Sequence, residues 1–344
     1  MNHKIRARAP LRLGLAGGGT DVSPYCDEYG GFVLNAAISL YAYATIEPAP
    51  AGKVIFRAVD LGEEVILEAD ANIALDGPLR LHRGVYRRFM HEFNNGEPIS
   101  IILSTHSDAP AGSGLGSSST VVVAMVEAFK EKLKLPLGEY DVAHLAFEIE
   151  RRDLMLNGGR QDQYAATFGG VNFMEFYGDD RVIVNPLRVR ETIMAELEAS
   201  LVLYFTGVSR DSASIIDEQT RGVESGKSRS LDAMHALKED AVQMKQKLLR
   251  GDIRGIATLL GHSWQTKKKL SHMVATPAID EVYDVAVKVG AYSGKISGAG
   301  GGGFMMLLVD PARRPEVCKA LSCKDGRVQT AHFTTQGAIA WRCT

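Results

Sequence analysis

The chain has 344 residues, of which 45% are hydrophobic and 23% charged, with a formal net charge of −2. That length exceeds what one hydrophobic core usually serves, so two domains are expected. The charge is nearly balanced, with no basic block or acidic tail, which gives no basis for a nucleic-acid partner. No apolar run approaches the roughly 18 residues of a membrane span.

The first residues carry Lys4, Arg6 and Arg8 but no apolar run ahead of a cleavage site, so no signal peptide is read and a cytoplasmic location is expected. Residues 1–48 read as extended segments broken by glycine, with 38–46 a strand. Residues 54–59 and 64–67 follow as a hairpin. Residues 79–93 read as a helix carrying Val85, Phe89 and Phe93, and 100–104 as a short buried strand.

Residues 110–120 run Pro-Ala-Gly-Ser-Gly-Leu-Gly-Ser-Ser-Ser-Thr and open onto an apolar segment. Gly112, Gly114 and Gly116 permit positive φ and close approach of a ligand to the backbone. Ser117, Ser118 and Ser119 stand where the next helix begins, and the free N–H groups and dipole of such a start favour an anion. With Pro110, Ser113 and Leu115 between them, these residues read as a phosphate-holding loop. Val121, Val122, Met125, Ala128, Phe129 and Leu133 recur at helical spacing, with Glu127, Lys130, Glu131 and Lys134 on the other side. A helix is therefore expected over about 116–134.

Residues 141–155 predict another helix, with Leu145, Ile149, Arg152 and Met155 near one face. Residues 169–176 enter a strand through two glycines. Residues 186–198 read as a connection and carry the expected boundary, giving domains 1–190 and 191–344. Residues 201–205 are a buried strand. Residues 232–250, 253–265 and 277–289 carry helical spacing. Residues 295–309 form a second glycine-rich loop running into a strand. Strands and helices mixed in both halves predict two α+β domains.

Gly222-Val-Glu-Ser-Gly-Lys-Ser228 has the look of a nucleotide loop. Three residues rather than four separate its glycines, however, and residues 216–221 before it are polar, so it reads as a surface loop. No Gly-x-Gly-x-x-Gly stands in a strand–turn–helix setting. Cys26, Cys318, Cys323 and Cys343 lack metal spacing and read as free thiols.

Three stretches remain: 9–21 (Ala-Pro-Leu-Arg-Leu-Gly-Leu-Ala-Gly-Gly-Gly-Thr-Asp), the loop at 110–120, and 295–304 (Lys-Ile-Ser-Gly-Ala-Gly-Gly-Gly-Gly-Phe). In their order and wide separation they resemble the three motifs of the GHMP kinase superfamily, which includes galactokinase, homoserine kinase, mevalonate kinase and phosphomevalonate kinase. The resemblance covers almost the whole chain. It implies a two-domain α+β fold with the active site in the interdomain cleft, and ATP phosphates on the second motif.

It further implies Mg²⁺, with Ser118 and Glu150 matching its protein ligands. The Glu150 placement needs a one-residue insertion relative to mevalonate kinase, and Glu148 is the alternative. Asp162, in Gly159-Arg-Gln-Asp-Gln163, matches the aspartate that takes the acceptor's proton, and Arg12 the basic residue beside it. Ser118, Glu150, Asp162 and Arg12 are all of the types an active kinase needs, which argues against a ligand sensor without turnover.

The first motif, Gly17, Gly18, Gly19, Thr20 and Asp21, lacks the Glu-His pair of galactokinase. Asp21 is expected to take hydrogen bonds from sugar hydroxyls. Through Tyr25 this stretch resembles the D-glycero-D-manno-heptose 7-phosphate kinases. That group phosphorylates the anomeric hydroxyl of a heptose 7-phosphate for GDP-heptose and surface glycan synthesis. A fucose-like or galactose-like acceptor is the alternative. A 7-phosphate needs cationic or N–H donors, and Ser209, Arg210, Ser212 and Arg160 are the candidates. Tyr25 packs against the sugar or in the core, and Gly300 and Gly301 of the third motif are assigned to the substrate side. The sequence leaves a homodimer open.

Overall fold

The molecule is built outward from two long strands, β1 (Lys4–Ala16) and β2 (Gly31–Pro48), paired antiparallel from Ile5 opposite Ile46 to Ala16 opposite Leu34. The computed structural model describes residues 3–208, 212–224, 228–271 and 273–343. Next in the chain are β3 (Lys53–Ala58), β4 (Glu63–Glu68), β5 (Ile101–Ser107), β6 (Val171–Phe176) and β7 (Val182–Pro186). The far edge of β2 is shared. Residues 42–48 pair with β5 and residues 31–36 with β6, so the sheet forks along one strand. The hairpin of β3 and β4 adds to β5 through a parallel pairing.

In the second half, β8 (Leu201–Phe205), β9 (Ala291–Ile296), β10 (Phe304–Val309) and β11 (Arg327–Gln329) form a separate antiparallel sheet ordered β11-β8-β10-β9. The last strand, β12 (Ile339–Cys343), leaves that half and pairs with β1. The expected division into 1–190 and 191–344 therefore fails for the end of the chain, because β1 has an outer edge that β12 fills.

The helices are α1 (Tyr25–Tyr29), α2 (Arg80–Phe93), α3 (Ser117–Leu133), α4 (Glu139–Glu148), α5 (Gln161–Phe168), α6 (Glu191–Ser200), α7 (Ser212–Glu224), α8 (Ser228–Arg250), α9 (Ile253–Leu270), α10 (Pro277–Val289) and α11 (Arg314–Leu321). Phe89, Met125 and Phe129 from α2 and α3 pack on Ala7, Ala44 and Phe56 of the first sheet. A second cluster joins Leu11, Leu13 and Leu34 to Met244 and Leu260 of α8 and α9 and to Met306 of β10. The two halves thus share buried apolar surface, the main stabilising term of such an arrangement.

Several expectations shift. The connection at 186–198 contains α6, and residues 222–224 belong to α7, not to a surface loop. The helix expected over 141–155 ends at Glu148 and continues as a π turn, Ile149–Asp153. That turn breaks the face: Leu145 and Ile149 are buried, but Met155 is 77% exposed.

Candidate functional site

The loop after β5 enters α3 with Gly112, Gly114 and Gly116 at φ of 70°, 78° and 77°. No side chain caps α3. Ser117 Oγ donates to Pro110 O (3.1 Å) and Ser119 Oγ to Glu150 Oε1 (3.1 Å). The first-turn N–H groups therefore have no side-chain cap, the condition for holding an anion. The loop is braced from the other half. Phe304 N–H donates to Ser113 O (2.9 Å), and a Cβ on Gly114 would stand 2.3 Å from Ser297 O. Ser113 and Leu115 are buried supports and Pro110 receives Ser117, so these three brace the loop and do not line the cleft.

Arg12 lies on β1 between irregularities in register at Pro10/Leu11 and Gly14/Ala16. Such breaks re-aim side chains. Its Nε donates to Asp162 Oδ1 (2.7 Å), its Nη2 lies 2.6 Å from the same oxygen, and its Nη1 donates to Gly114 O (2.6 Å). Asp162 sits in the first turn of α5, against the loop: a Cβ on Gly116 would lie 3.0 Å from its Cγ. One arginine thus ties a carboxylate to the anion loop.

Asp21 is 1% exposed and accepts from Gly19 N, Arg160 N, Gln161 N and Gln161 Nε2 at 3.1, 2.9, 3.0 and 3.2 Å. Four donors fill the acceptor capacity of a carboxylate. Asp21 therefore fixes the start of α5, and with it Asp162, in place of the expected sugar contact. Gly159 allows this, since a Cβ there would fall 2.0 Å from Asp21 Oδ2.

Glu150 is 2% exposed and lines the cleft with Ser118 and Ser119. Gln163 Nε2 donates to its Oε2 (2.5 Å). Glu148, the alternative, instead accepts from Arg88 (3.2 Å) and Arg152 (2.6 Å). Glu150 lies in the π turn Ile149–Asp153, a turn of the kind that accommodates one extra residue in a helix. Ser118 is exposed at the head of α3, while Ser119 makes the direct bond to Glu150.

The cleft holds about 530 Å³. The first half lines it with Gly18, Gly19, Asp21, the glycines and serines 112, 114 and 116–119 of the loop, and residues 156–159, 161 and 162. The second half adds Ile216 and Gln219 of α7, Lys267 of α9, and Gly298 and Ala299. Lys267 is fully buried and donates to Gly298 O (2.7 Å). Burial pushes its ammonium down to about 8, with Asp21 opposing and Arg12 reinforcing that shift. Buried Gln161 Oε1 and Gln219 Nε2 have no protein partner, which leaves one acceptor and one donor unmatched beside the cleft.

Other assigned residues lie elsewhere. Tyr25 is buried with its hydroxyl 2.8 Å from His235 Nδ1, and burial pushes it up to about 12; it is a core tyrosine. Thr20 bonds Gly17 O and Phe32 O (2.8 and 2.9 Å) and closes the turn of the first motif. A Cβ on Gly17 would stand 1.8 Å from Phe32 O, so its glycine serves packing. Gly300 and Gly301 pack on Val274 and do not line the cleft. Arg160 lines a neighbouring annex, bonded to Asp27 (2.8 Å), Ser23 (2.9 Å) and Tyr177 O (2.9 Å). Ser209 and Arg210 lie outside the described residues, as does the side chain of Ser212.

The sequence reading missed Lys267, Gln161 and Gln219. A signal existed for the lysine. Ile253, Ile256, Leu260 and Trp264 mark the inner face of α9, and Lys267 continues that spacing where an apolar residue is expected.

A carboxylate held at the mouth of an anion loop equips a protein for phosphoryl transfer to a hydroxyl, and the class is that of a phosphotransferase. Residues 80–170 match the GHMP kinases N terminal domain and residues 244–327 the GHMP kinases C terminal domain. Over 338 residues the chain is 51% identical to the D-glycero-alpha-D-manno-heptose 7-phosphate kinase of Campylobacter jejuni, covering 98% of this chain and 99% of that protein. A D-glycero-D-manno-heptose 1-phosphate kinase structure from Bacteroides thetaiotaomicron superposes with a TM-score of 0.83 at 45% identity, over 99% of each chain. Lactococcus lactis galactokinase bound to galactose shares the fold, with a TM-score of 0.76 at 18% identity over 97% and 94% of the two chains. The chain belongs to the GHMP kinases, which use ATP as phosphate donor.

Proposed function

We propose that this protein transfers the γ-phosphoryl group of ATP to the anomeric hydroxyl of D-glycero-D-manno-heptose 7-phosphate, giving the 1,7-bisphosphate and ADP. The observation that carries the reaction is Asp162, paired with Arg12 and packed against Gly116 of the loop. The acceptor hydroxyl gives its proton to Asp162 as its oxygen bonds to phosphorus and the bridging oxygen leaves with ADP. Arg12 holds the carboxylate in place through Nε and Nη2 and offsets charge on the transferring group. The loop N–H groups hold the donor phosphates, and Gln161 and Gln219 orient the sugar. The heptose assignment is supported by the 51% identity to the heptose 7-phosphate kinase of C. jejuni.

Among the described residues no cluster of three or more His, Cys, Asp or Glu side chains could hold a metal ion. Magnesium does not need one, since it is commonly held by one or two protein oxygens plus phosphate oxygens. Buried Glu150, with Ser118 across the loop mouth, fits that need. Bound there with ATP, Mg²⁺ would supply charge neutralisation of the phosphates.

The two halves are divided near residue 190, with the last strand returned to the first. The enzyme works in the cytoplasm, and its product feeds GDP-heptose for surface polysaccharide. A second reading comes from the B. thetaiotaomicron neighbour, whose name places the existing phosphate at C1. ADP release from Mg-ATP with heptose 7-phosphate, heptose 1-phosphate, unphosphorylated heptose, fucose and galactose tests both. Turnover of the 7-phosphate alone supports the first reading, and turnover of the 1-phosphate alone replaces it with the second.

A further inference from the structure

We propose that the annex beside the cleft, with Arg151 and Arg221 as its donors, holds the phosphate already carried by the acceptor sugar. This rests on the phosphosugar reading above and names where that phosphate binds. The annex encloses about 480 Å³ and shares Val22, Arg151, Gly158 and Ile216 with the cleft, so the two are continuous. It branches from the Asp21–Val22 side, and no residue of 110–120 lines it. A sugar reacting at one end while phosphorylated at the other needs a second anion site clear of the donor phosphates.

Arg151 has a side chain only 15% exposed. Its guanidinium donates to Gly159 O (3.3 and 3.2 Å) and Leu156 O (3.3 Å), all neutral carbonyls. The nearest carboxylate is Glu150 at 3.8 Å, and both oxygens of that group already accept from Ser119 and Gln163. A largely buried guanidinium whose hydrogen bonds all go to neutral carbonyls, with only a long ion pair to Glu150, is weakly compensated, and a phosphate matches its planar donor fork. Gly158 leaves the space the guanidinium occupies, because a Cβ there would fall 2.4 Å from Arg151 Nη2. Arg160, in the same annex, is committed to Asp27 at 2.8 Å and to Asp180 at 3.6 Å. Asp217 also faces the annex, where Asn157 Nδ2 donates to it (2.7 Å). Arg221 follows one turn later on α7, with its Nε on Asp217 O (3.2 Å).

An acceptor without the phosphate leaves Arg151 unmatched, so the annex selects phosphorylated sugars. The test is the ratio of kcat/KM for heptose 7-phosphate over unphosphorylated heptose in the wild type, Arg151→Gln, Arg151→Lys and Arg221→Ala. The expected ratio falls about 30-fold in Arg151→Gln and about 5-fold in Arg221→Ala, with Arg151→Lys between, while KM for ATP stays within about twofold. A loss that falls equally on both acceptors marks Arg151 as a support of the 156–159 turn and overturns the annex. A ratio that survives both Arg151→Gln and Arg221→Ala also overturns it. Absence of wild-type turnover with the 7-phosphate overturns the substrate reading first, and the annex with it.

Discussion

At the glycine-rich loop, the groups offered to the cleft are backbone N–H groups of a few consecutive residues ending in the first turn of α3. On the proposed acceptor side the cleft is lined by side chains brought from distant places: Gln161 on α5, Gln219 on α7 and Lys267 on α9. The donor half is built from conformation, so glycine is its currency and its residues are contiguous. The acceptor half is built from packing. Its specificity depends on helices that reach the cleft only once both halves share a core.

The largest effect is expected where the two sides meet. Asp162→Asn should lower kcat by about 10³-fold while the chain stays folded, since an amide cannot take the proton. Steady-state kinetics with the melting temperature checks this, and loss confined to acceptor KM would sink the general-base role. Gly114→Ala probes the backbone side. Its φ of 78° and its 2.3 Å approach to Ser297 O leave no room for a methyl group. Destabilisation of about 2–4 kcal/mol in urea unfolding is expected, with weaker ATP binding than acceptor binding.

Lys267 probes the side built from packing. In the free enzyme it loses its proton as pH rises through about 8, so kcat/KM for an anionic acceptor should decline above that pH. Lys267→Arg should move the decline beyond the measurable range, because a guanidinium stays charged. Stability has the opposite sign. The unfolded lysine titrates near 10.5, so between about 8 and 10.5 the unfolded chain binds more protons and the fold gains stability with pH. Urea midpoints across that window should rise less steeply in Lys267→Met than in the wild type, the remaining slope coming from buried Lys295, whose ammonium is also pushed down. The smallest effect is expected at Tyr25→Phe. It removes one bond to His235 and should cost about 1 kcal/mol, with kinetic constants within twofold. A large rise in acceptor KM would return Tyr25 to the substrate side.

What the sequence disclosed follows the same line. The strand at 201–205 and the helix at 277–289 appear with the expected bounds, because their patterns are local. Arg12, Asp162 and Glu150 were expected from the resemblance to the GHMP kinases, and all three line the cleft. Lys267 could not, because its burial depends on where α9 packs, although the face it occupies was readable. Asp21 shows a subtler limit. The sequence offered a free carboxylate near a sugar, and folding spends it on four N–H donors. Gly17, Gly300 and Gly301 owe their identity to close backbone neighbours, a cause that a glycine cluster does not distinguish from ligand contact.

The pairing of β12 with β1, Lys4 opposite Cys343, has a consequence for biogenesis. β1 waits for β12, about 320 residues later in the chain, before its outer edge is filled. The sheet around β1 therefore keeps an open hydrogen-bonding border until residues 339–343 have been made, a template for neighbouring nascent chains.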